Sequence, residues 1–143
     1  MSFVPSHICF DSDFFFVRQD YITIVQSLLA LTTPFALISA YSTPFELTHA
    51  LQLSKCTRLF VNAQLLPLVL PVAKKVGIPS SMIYVLDGHS KGRQSFSDFL
   101  GDARMKSIPA VSARPAAKDT LAYLVFSSGT TGLPKGSPHI QLA

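Results

Sequence analysis

Short apolar runs alternate along this chain with segments that carry the signals of helices. Strand-like runs lie at residues 7–10, 35–40, 58–61, 82–86 and 121–126, and helix-like segments at residues 20–31, 43–54 and 64–76. Strands that are separated by helices pair in parallel through right-handed crossovers. The alternation therefore predicts an α/β fold with a mostly parallel sheet and covering helices. A length of 143 residues suits one modest domain, and we predict no second domain.

The clearest local signal is the start of the second helix. Thr43 is followed by Pro44 and, three residues after the threonine, by Glu46. This order is typical of a capping box with proline in the first turn. The third helix is predicted to end at Gly77, with Pro71 weakening or kinking it. Residues 87–118 are rich in polar residues, glycine and proline, with one short apolar patch at residues 96–100, and are predicted to form a surface excursion.

Composition excludes several classes of protein. Apolar residues make up 48% of the chain and charged residues 14%, which excludes disorder as its main state. The net charge is +4, but there is no run of four Lys or Arg, so we predict no nucleic-acid partner and disfavour a polybasic membrane site. Cys9 and Cys56 form no C-x-x-C motif, which predicts no metal site and a reduced, cytoplasmic chain. No secretory signal is evident. A peroxisomal or membrane-associated location remains open.

Residues 22–41 are 20 consecutive residues without a formal charge. Such a stretch is long enough to cross a hydrocarbon core of roughly 30 Å. It contains Pro34, however, and its composition changes near Thr32 from helix-forming to strand-compatible residues. These features favour a buried helix followed by a buried strand, and a membrane span is the alternative.

A string of small and hydroxyl-bearing residues follows the last predicted strand. Residues 127–136 read Ser-Ser-Gly-Thr-Thr-Gly-Leu-Pro-Lys-Gly. Glycines allow close approach of the backbone, hydroxyls and amides can surround phosphate oxygens, and lysine adds a positive charge. The string lacks the Gly-Lys-Ser/Thr ending of the P-loop. From the residues alone, both a polyphosphate site and a plain flexible turn remain open.

With Phe126 in front, this string closely resembles the phosphate-binding signature of the adenylate-forming (AMP-binding) enzymes. That superfamily includes acyl-CoA synthetases, 4-coumarate-CoA ligase-like enzymes and luciferases. Two earlier segments also resemble the family. One is the helix start at residues 43–47, with Leu51, Ser54 and the strand that follows. The other is residues 119–122, which are similar to the Asp and apolar strand that lead into the family's loop. The resemblance runs in order over about residues 20–136. It implies that residues 1–143 are a partial, incomplete large N-terminal domain that ends just after the phosphate-binding loop.

The resemblance also implies a reaction. A carboxylate attacks the α-phosphorus of Mg-ATP to give acyl-AMP and pyrophosphate, and the thiol of CoA then takes the acyl group. The implied cofactors are ATP and Mg²⁺, with CoA as acceptor in full-length members. Lys135 is implied to neutralise departing pyrophosphate. The β- and γ-phosphates are implied to contact Ser127, Ser128, Gly129, Thr130, Thr131 and Gly132. No catalytic or metal-binding residue is assigned.

The chain also departs from the family pattern. The family commonly reads Lys-Gly-Val and reaches a Ser/Thr-His pair a turn later, whereas here Gly136 is followed by Ser137, Pro138 and His139. His139 is closer to Lys135 than the family spacing, so we predict it to be an exposed tail residue. The adenine, ribose and Thr-Glu segments and the C-terminal domain with its lysine are not visible. We therefore expect a ligase fragment that is inactive alone, binds ATP or pyrophosphate weakly, and would meet a carboxylic acid only in a full-length relative. The alternatives are a non-catalytic phosphate- or nucleotide-binding module, or a membrane-associated remnant using residues 22–41. The acyl substrate stays open.

Overall fold

A computed structural model of the chain describes residues 7–12, 19–86, 88–127 and 135–140. Strands and helices alternate along these residues, as the sequence predicts. The strands are β1 (His7–Ser12), β2 (Phe35–Ser39), β3 (Cys56–Val61), β4 (Ile83–Val85), β5 (Leu121–Ser127) and β6 (Lys135–Ile140). The α-helices are α1 (Gln19–Ala30), α2 (Pro44–Leu53), α3 (Leu66–Lys75) and α4 (Phe96–Met105).

The strands form one sheet in the order β4-β3-β1-β2-β5-β6. β1 to β5 are parallel to one another, and β6 pairs antiparallel with β5 at one edge of the sheet. The predicted α/β fold with a mostly parallel sheet is thus confirmed. β1 lies in the middle, with β2 on one side and β3 on the other, so the strand order reverses there. Ligands of open α/β sheets bind beyond the carboxyl ends of the strands near such a reversal.

Different helices cover the two faces of the sheet. On one face, buried residues of α2 and α3, including Leu51 and Val72, pack with Cys9, Ile38 and Val61 of the strands. On the other face, Ile24 and Leu28 of α1 pack with Phe35 and Leu86, and Phe96 of α4 lies against the same cluster. The covering helices therefore bury both sides of the central strands, as a parallel sheet requires.

The predicted helix signals agree with the structure. Thr43 caps α2 through a complete capping box with Glu46, and a proline lies in the first turn. Pro67 occupies the first turn of α3, and the helix continues past Pro71 to Lys75. Gly77 follows with φ of 85°, a left-handed conformation that suits glycine after a helix.

Residues 22–41 are divided between α1 and β2. Thr32 has φ of 52° in the turn that separates the two elements. Within the described residues, no helix combines the length and apolar character needed to span a bilayer. The prediction of a helix followed by a strand is confirmed. The expectation of a buried helix is wrong in part, because α1 buries Ile24 and Leu28 while Ile22 is 45% exposed. The helix packs only one side on the sheet.

The surface excursion predicted at residues 87–118 contains a helix, α4, that was not predicted from the sequence. Asp87 is outside the described residues. Ser95 caps α4, and Asp98 supplies the return hydrogen bond of a capping box. The ring of Phe99 lies 5.1 Å from that of Tyr84, so the helix packs on the sheet through aromatic residues. The signal was present as Ser-x-x-Asp, but Gly101 and few apolar residues obscured the helical pattern.

Candidate phosphate-binding site

β5 and β6 hold the two ends of the predicted phosphate-binding string next to each other. Ser127, the last residue of β5, is paired in register with Lys135, the first residue of β6. Partners in an antiparallel pair have Cα atoms about 4.5–5.5 Å apart. The structure therefore brings the backbones of Ser127 and Lys135 together. The other predicted phosphate contacts lie outside the described residues: Ser128, Gly129, Thr130, Thr131 and Gly132.

Gly136 permits the close packing of this strand pair. It is paired with Phe126, and a Cβ atom at this position would lie 3.3 Å from Cε1 of Phe126 and 3.3 Å from Cδ2 of Leu53. Such distances are tighter than ordinary van der Waals contact, so a side chain here would push on β5 and on α2. From the sequence, Gly136 was identified only as the end of the phosphate string. Its packing role depends on a neighbour 83 positions earlier in the chain, which no local pattern shows.

The strand β6 was not predicted from the sequence. The expectation that His139 belongs to a tail is wrong, because the backbone of His139 lies in β6, paired with Tyr123. Residues 137–140 read Ser-Pro-His-Ile and carry little strand propensity. β6 forms because β5 offers it an edge, and that partner is fixed only by the tertiary fold.

The carboxyl end of β2 lies beside that of β5. Phe35, Ala36 and Leu37 of β2 are paired in parallel with Tyr123, Leu124 and Val125 of β5. After Ser39 the chain turns tightly, because the amide of Tyr41 donates to Ser39 Oγ at 3.2 Å and that of Ser42 to the Ser39 carbonyl at 3.1 Å. The turn brings the first residues of α2 to the sheet edge that also carries the phosphate string.

The start of α2 is occupied by its own side chains and offers little to an anion. The backbone N–H of Thr43 donates to Glu46 Oε2 at 2.8 Å, and the backbone N–H of Glu46 donates to Thr43 Oγ1 at 3.3 Å. Hydrogen bonds from the backbone and then the side chain of Thr43 hold the pKa of Glu46 below its ordinary value. Glu46 therefore stays ionised at neutral pH, and the helix start positions the edge rather than binding phosphate.

A small cleft lies below this edge, between α2, α3 and the central strands. Its volume is about 30 Å³, and its walls are largely apolar, including Ile38, Leu47, Val61 and Val69. A space of this size holds about one water molecule, whereas pockets for small molecules have volumes of about 300–1,000 Å³. This cleft cannot take an acyl group.

The described residues also provide no cluster for Mg²⁺. Nowhere in residues 7–12, 19–86, 88–127 and 135–140 do three His, Cys, Asp or Glu side chains come together as metal ligands. Magnesium prefers oxygen ligands from carboxylates and substrate phosphates. Most of the phosphate string lies outside the described residues, and within those residues no such set of ligands is found.

Comparison with known proteins agrees with the sequence resemblance. The profile of the AMP-binding enzyme family matches residues 18–141. Acyl-CoA ligase AKT1 of Alternaria alternata is 31% identical over 124 residues, covering 81% of this chain and 21% of that protein. The 3-hydroxybenzoate–CoA ligase of Aromatoleum sp. (strain CIB) is 28% identical over 96 residues, covering 67% of this chain and 17% of the relative. The chain thus spans about a fifth of the length of these relatives.

Solved structures share the fold. The anthranilate CoA ligase AuaEII, in complex with anthranoyl-AMP, superposes with a TM-score of 0.79 at 23% identity, over 95% of this chain and 25% of that one. The luciferase-like enzyme from the mealworm Zophobas morio gives 0.73 at 24% identity, over 94% of this chain and 30% of that one. The chain belongs to the AMP-binding enzyme family, the adenylate-forming enzymes that its phosphate string resembles.

Proposed function

We propose that these 143 residues form the phosphate-binding part of an ATP-dependent, adenylate-forming acyl-CoA ligase. The observation that supports this most directly is the pairing of Ser127 with Lys135, which frames the family string between two hydrogen-bonded strands. Catalysis of nucleotidyl transfer depends mainly on positioning and charge stabilisation, which a rigid frame favours.

In this proposal, the backbone amides and hydroxyls of residues 128–132 hold the β- and γ-phosphates, together with Ser127. Lys135 supplies positive charge where pyrophosphate departs. In the complete reaction, Mg-ATP supplies the α-phosphorus that a carboxylate attacks, and CoA then accepts the acyl group. The similar proteins named above are ligases of acyl groups and of 3-hydroxybenzoate, so a carboxylic acid is the proposed class of substrate.

We further propose that the 143 residues alone bind polyphosphate but do not complete adenylation. The cleft below the site is too small for an acyl group. Alignment of the reacting groups is worth roughly 7–11 kcal/mol of the barrier, so its loss removes activity. The purified chain should show no carboxylate-dependent exchange of labelled pyrophosphate into ATP. Exchange with any of a panel of aryl or fatty acids would contradict this part of the proposal.

Binding tests the loop separately from activity. Pyrophosphate titrated into the 143-residue chain should shift backbone amide resonances of residues 127–132, with a dissociation constant of about 1 mM or weaker. Gly129→Val should reduce binding more than Lys135→Ala. A β-branched side chain opposes positive φ and fills the space of a phosphate, whereas the lysine supplies one screened charge. Unchanged binding by Gly129→Val would mean that the string is a plain turn.

A further inference from the structure

Residues 104–115 form an uninterrupted exposed stretch at the end of α4. It includes three large apolar side chains, Met105, Ile108 and Val111, which are 79%, 59% and 68% exposed. Met105 is the last residue of α4, and Ile108 and Val111 lie in the segment that follows the helix. Three large exposed apolar side chains so close together in the chain indicate a site of interaction.

The same stretch is positively charged. Arg104, Lys106, Arg114 and Lys118 contribute four positive charges, and no acidic residue occurs between Asp102 and Asp119. We refer to residues 104–118 as the basic strip. One ion pair touches it, from Lys106 Nζ to Asp102 Oδ2 at 3.8 Å, and both of its side chains are exposed. An exposed pair of this kind contributes little, so the strip keeps its positive potential.

The backbone of the strip is held by the domain at two points. At the end of α4, the amide of Ile108 donates to the carbonyl of Ala103 at 3.0 Å and that of Ser107 donates to the carbonyl of Arg104 at 3.1 Å, the pattern of a Schellman motif. Further along, the amide of Arg114 donates to the carbonyl of Ala30 at 2.8 Å. The strip therefore presents its apolar and basic side chains from a defined path.

We propose that the basic strip docks this chain onto an anionic lipid surface. The sequence disfavours a polybasic site because it has no run of four Lys or Arg, but the strip combines four spaced cations with exposed apolar side chains. The aliphatic side chains would enter the headgroup region while the four cations lie against lipid phosphates and carboxylates. Segments that combine exposed apolar residues with Lys and Arg bind membrane surfaces in this way. This docking is peripheral and differs from a span by residues 22–41, which α1 and β2 divide between a helix and a strand.

The chemistry of the strip favours lipid over other partners. Single-stranded nucleic acid is bound with aromatic side chains that stack on bases, and residues 100–118 contain no aromatic residue. A second copy of the strip would carry the same four charges and would be repelled. A lipid surface satisfies both the charge and the exposed aliphatic residues without requiring a shaped groove.

Co-sedimentation of the 143-residue chain with vesicles tests the proposal. The chain should bind vesicles of phosphatidylcholine mixed with phosphatidylserine, and not vesicles of phosphatidylcholine alone. Arg104→Gln/Arg114→Gln should lower the partition coefficient about tenfold or more. Each cation near an anionic surface raises the partition coefficient about fivefold. Met105→Ser/Ile108→Ser should lower it as well. High salt should release the protein because it screens the charges.

Two matched controls make the test specific to the strip. Lys74→Gln/Lys75→Gln removes the same number of charges from the last turn of α3, and Phe45→Ser/Leu53→Ser removes two exposed apolar residues of α2. Both should bind vesicles like the unchanged chain, and thermal melts should show that every variant folds. Absence of binding to the anionic vesicles, or equal losses in the strip variants and their controls, would overturn the proposal.

Discussion

The sulfur of Cys9 lies 3.3 Å from the hydroxyl oxygen of Ser54, and neither side chain has any exposed surface. Cys9 belongs to β1, the central strand of the sheet, and Ser54 is the C-cap of α2. The Ser54 hydroxyl also donates to the carbonyl of Ala50 at 2.7 Å. This contact joins the end of α2 to the middle of the sheet, below the edge that carries the phosphate string.

Ser54→Ala should therefore destabilise the protein by about 1 kcal/mol, the typical value of one net hydrogen bond. Ser27→Ala is the matched control, because its hydroxyl makes the same kind of bond, to the carbonyl of Thr23 at 2.6 Å, on an exposed helix surface. Alanine favours helix there, so the control should be neutral or slightly stabilising. Urea denaturation of both variants measures the difference. Equal effects would show that the contact with Cys9 contributes nothing.

Both thiols should be unreactive in the native protein. Cys9 and Cys56 are buried, and burial, followed by the neighbouring Cys9 thiol, raises the pKa of Cys56 far above its ordinary value. The thiolate is the reactive form, so a disulfide reagent should modify the chain only as fast as it unfolds. Ellman's reagent at mildly alkaline pH should count both cysteines in denaturant and neither without it. Rapid modification of one native thiol would contradict the buried arrangement.

Two glycine substitutions should have opposite signs. Gly136→Ala should destabilise the β5–β6 pair by about 1 kcal/mol, because the new methyl group crowds Phe126, whereas the half-exposed side chain of Leu53 can move aside. Gly101→Ala in α4 has no atom within 4 Å of the added carbon and should stabilise the protein by about 0.5–1 kcal/mol. Thermal melts measure both changes. A neutral Gly136→Ala would mean that β5 and β6 pair more loosely than described.

The capping box of α2 should make stability depend on acid. Hydrogen bonds from Thr43 favour the ionised form of Glu46, so its pKa in the folded chain lies below its ordinary value of 4.5. The stability that the ionised Glu46 contributes is fully present above pH 4.5. It is lost as the pH falls through the lower pKa of Glu46 in the folded chain. Glu46→Gln cannot titrate, and the urea midpoint of this variant should fall less steeply between neutral and acid pH. Identical slopes would show that the box is not formed in solution.

Asp98 offers an independent check of the same effect in α4. The backbone N–H of Ser95 donates to its carboxylate at 2.7 Å, and hydrogen bonds from Ser95 lower the Asp98 pKa. Asp98→Asn should flatten the acid side of the stability profile, and Glu46→Gln/Asp98→Asn should flatten it further. The two sites are on different helices, so their effects should add.

Features that depend on neighbours a few residues apart could be predicted from the sequence. Thr43, Pro44 and Glu46 predict the start of α2, because a capping box closes over three residues. The alternation of apolar runs with helices predicts the parallel α/β sheet. The string at residues 127–136 predicts the family, because its chemistry lies in the order of its residues.

Features that depend on distant partners appear only in the folded chain. β6 forms against β5, Gly136 fits between Phe126 and Leu53, and Ser54 meets Cys9 from 45 positions away. Strand pairing and close packing gain their free energy from contacts that the chain makes only once it is folded, whatever the local propensity. The exposed basic strip likewise emerges only when the fold leaves Met105, Ile108 and Val111 on the surface. The phosphate string was identified from the order of its residues, whereas the pairing of β5 with β6 places its two ends side by side.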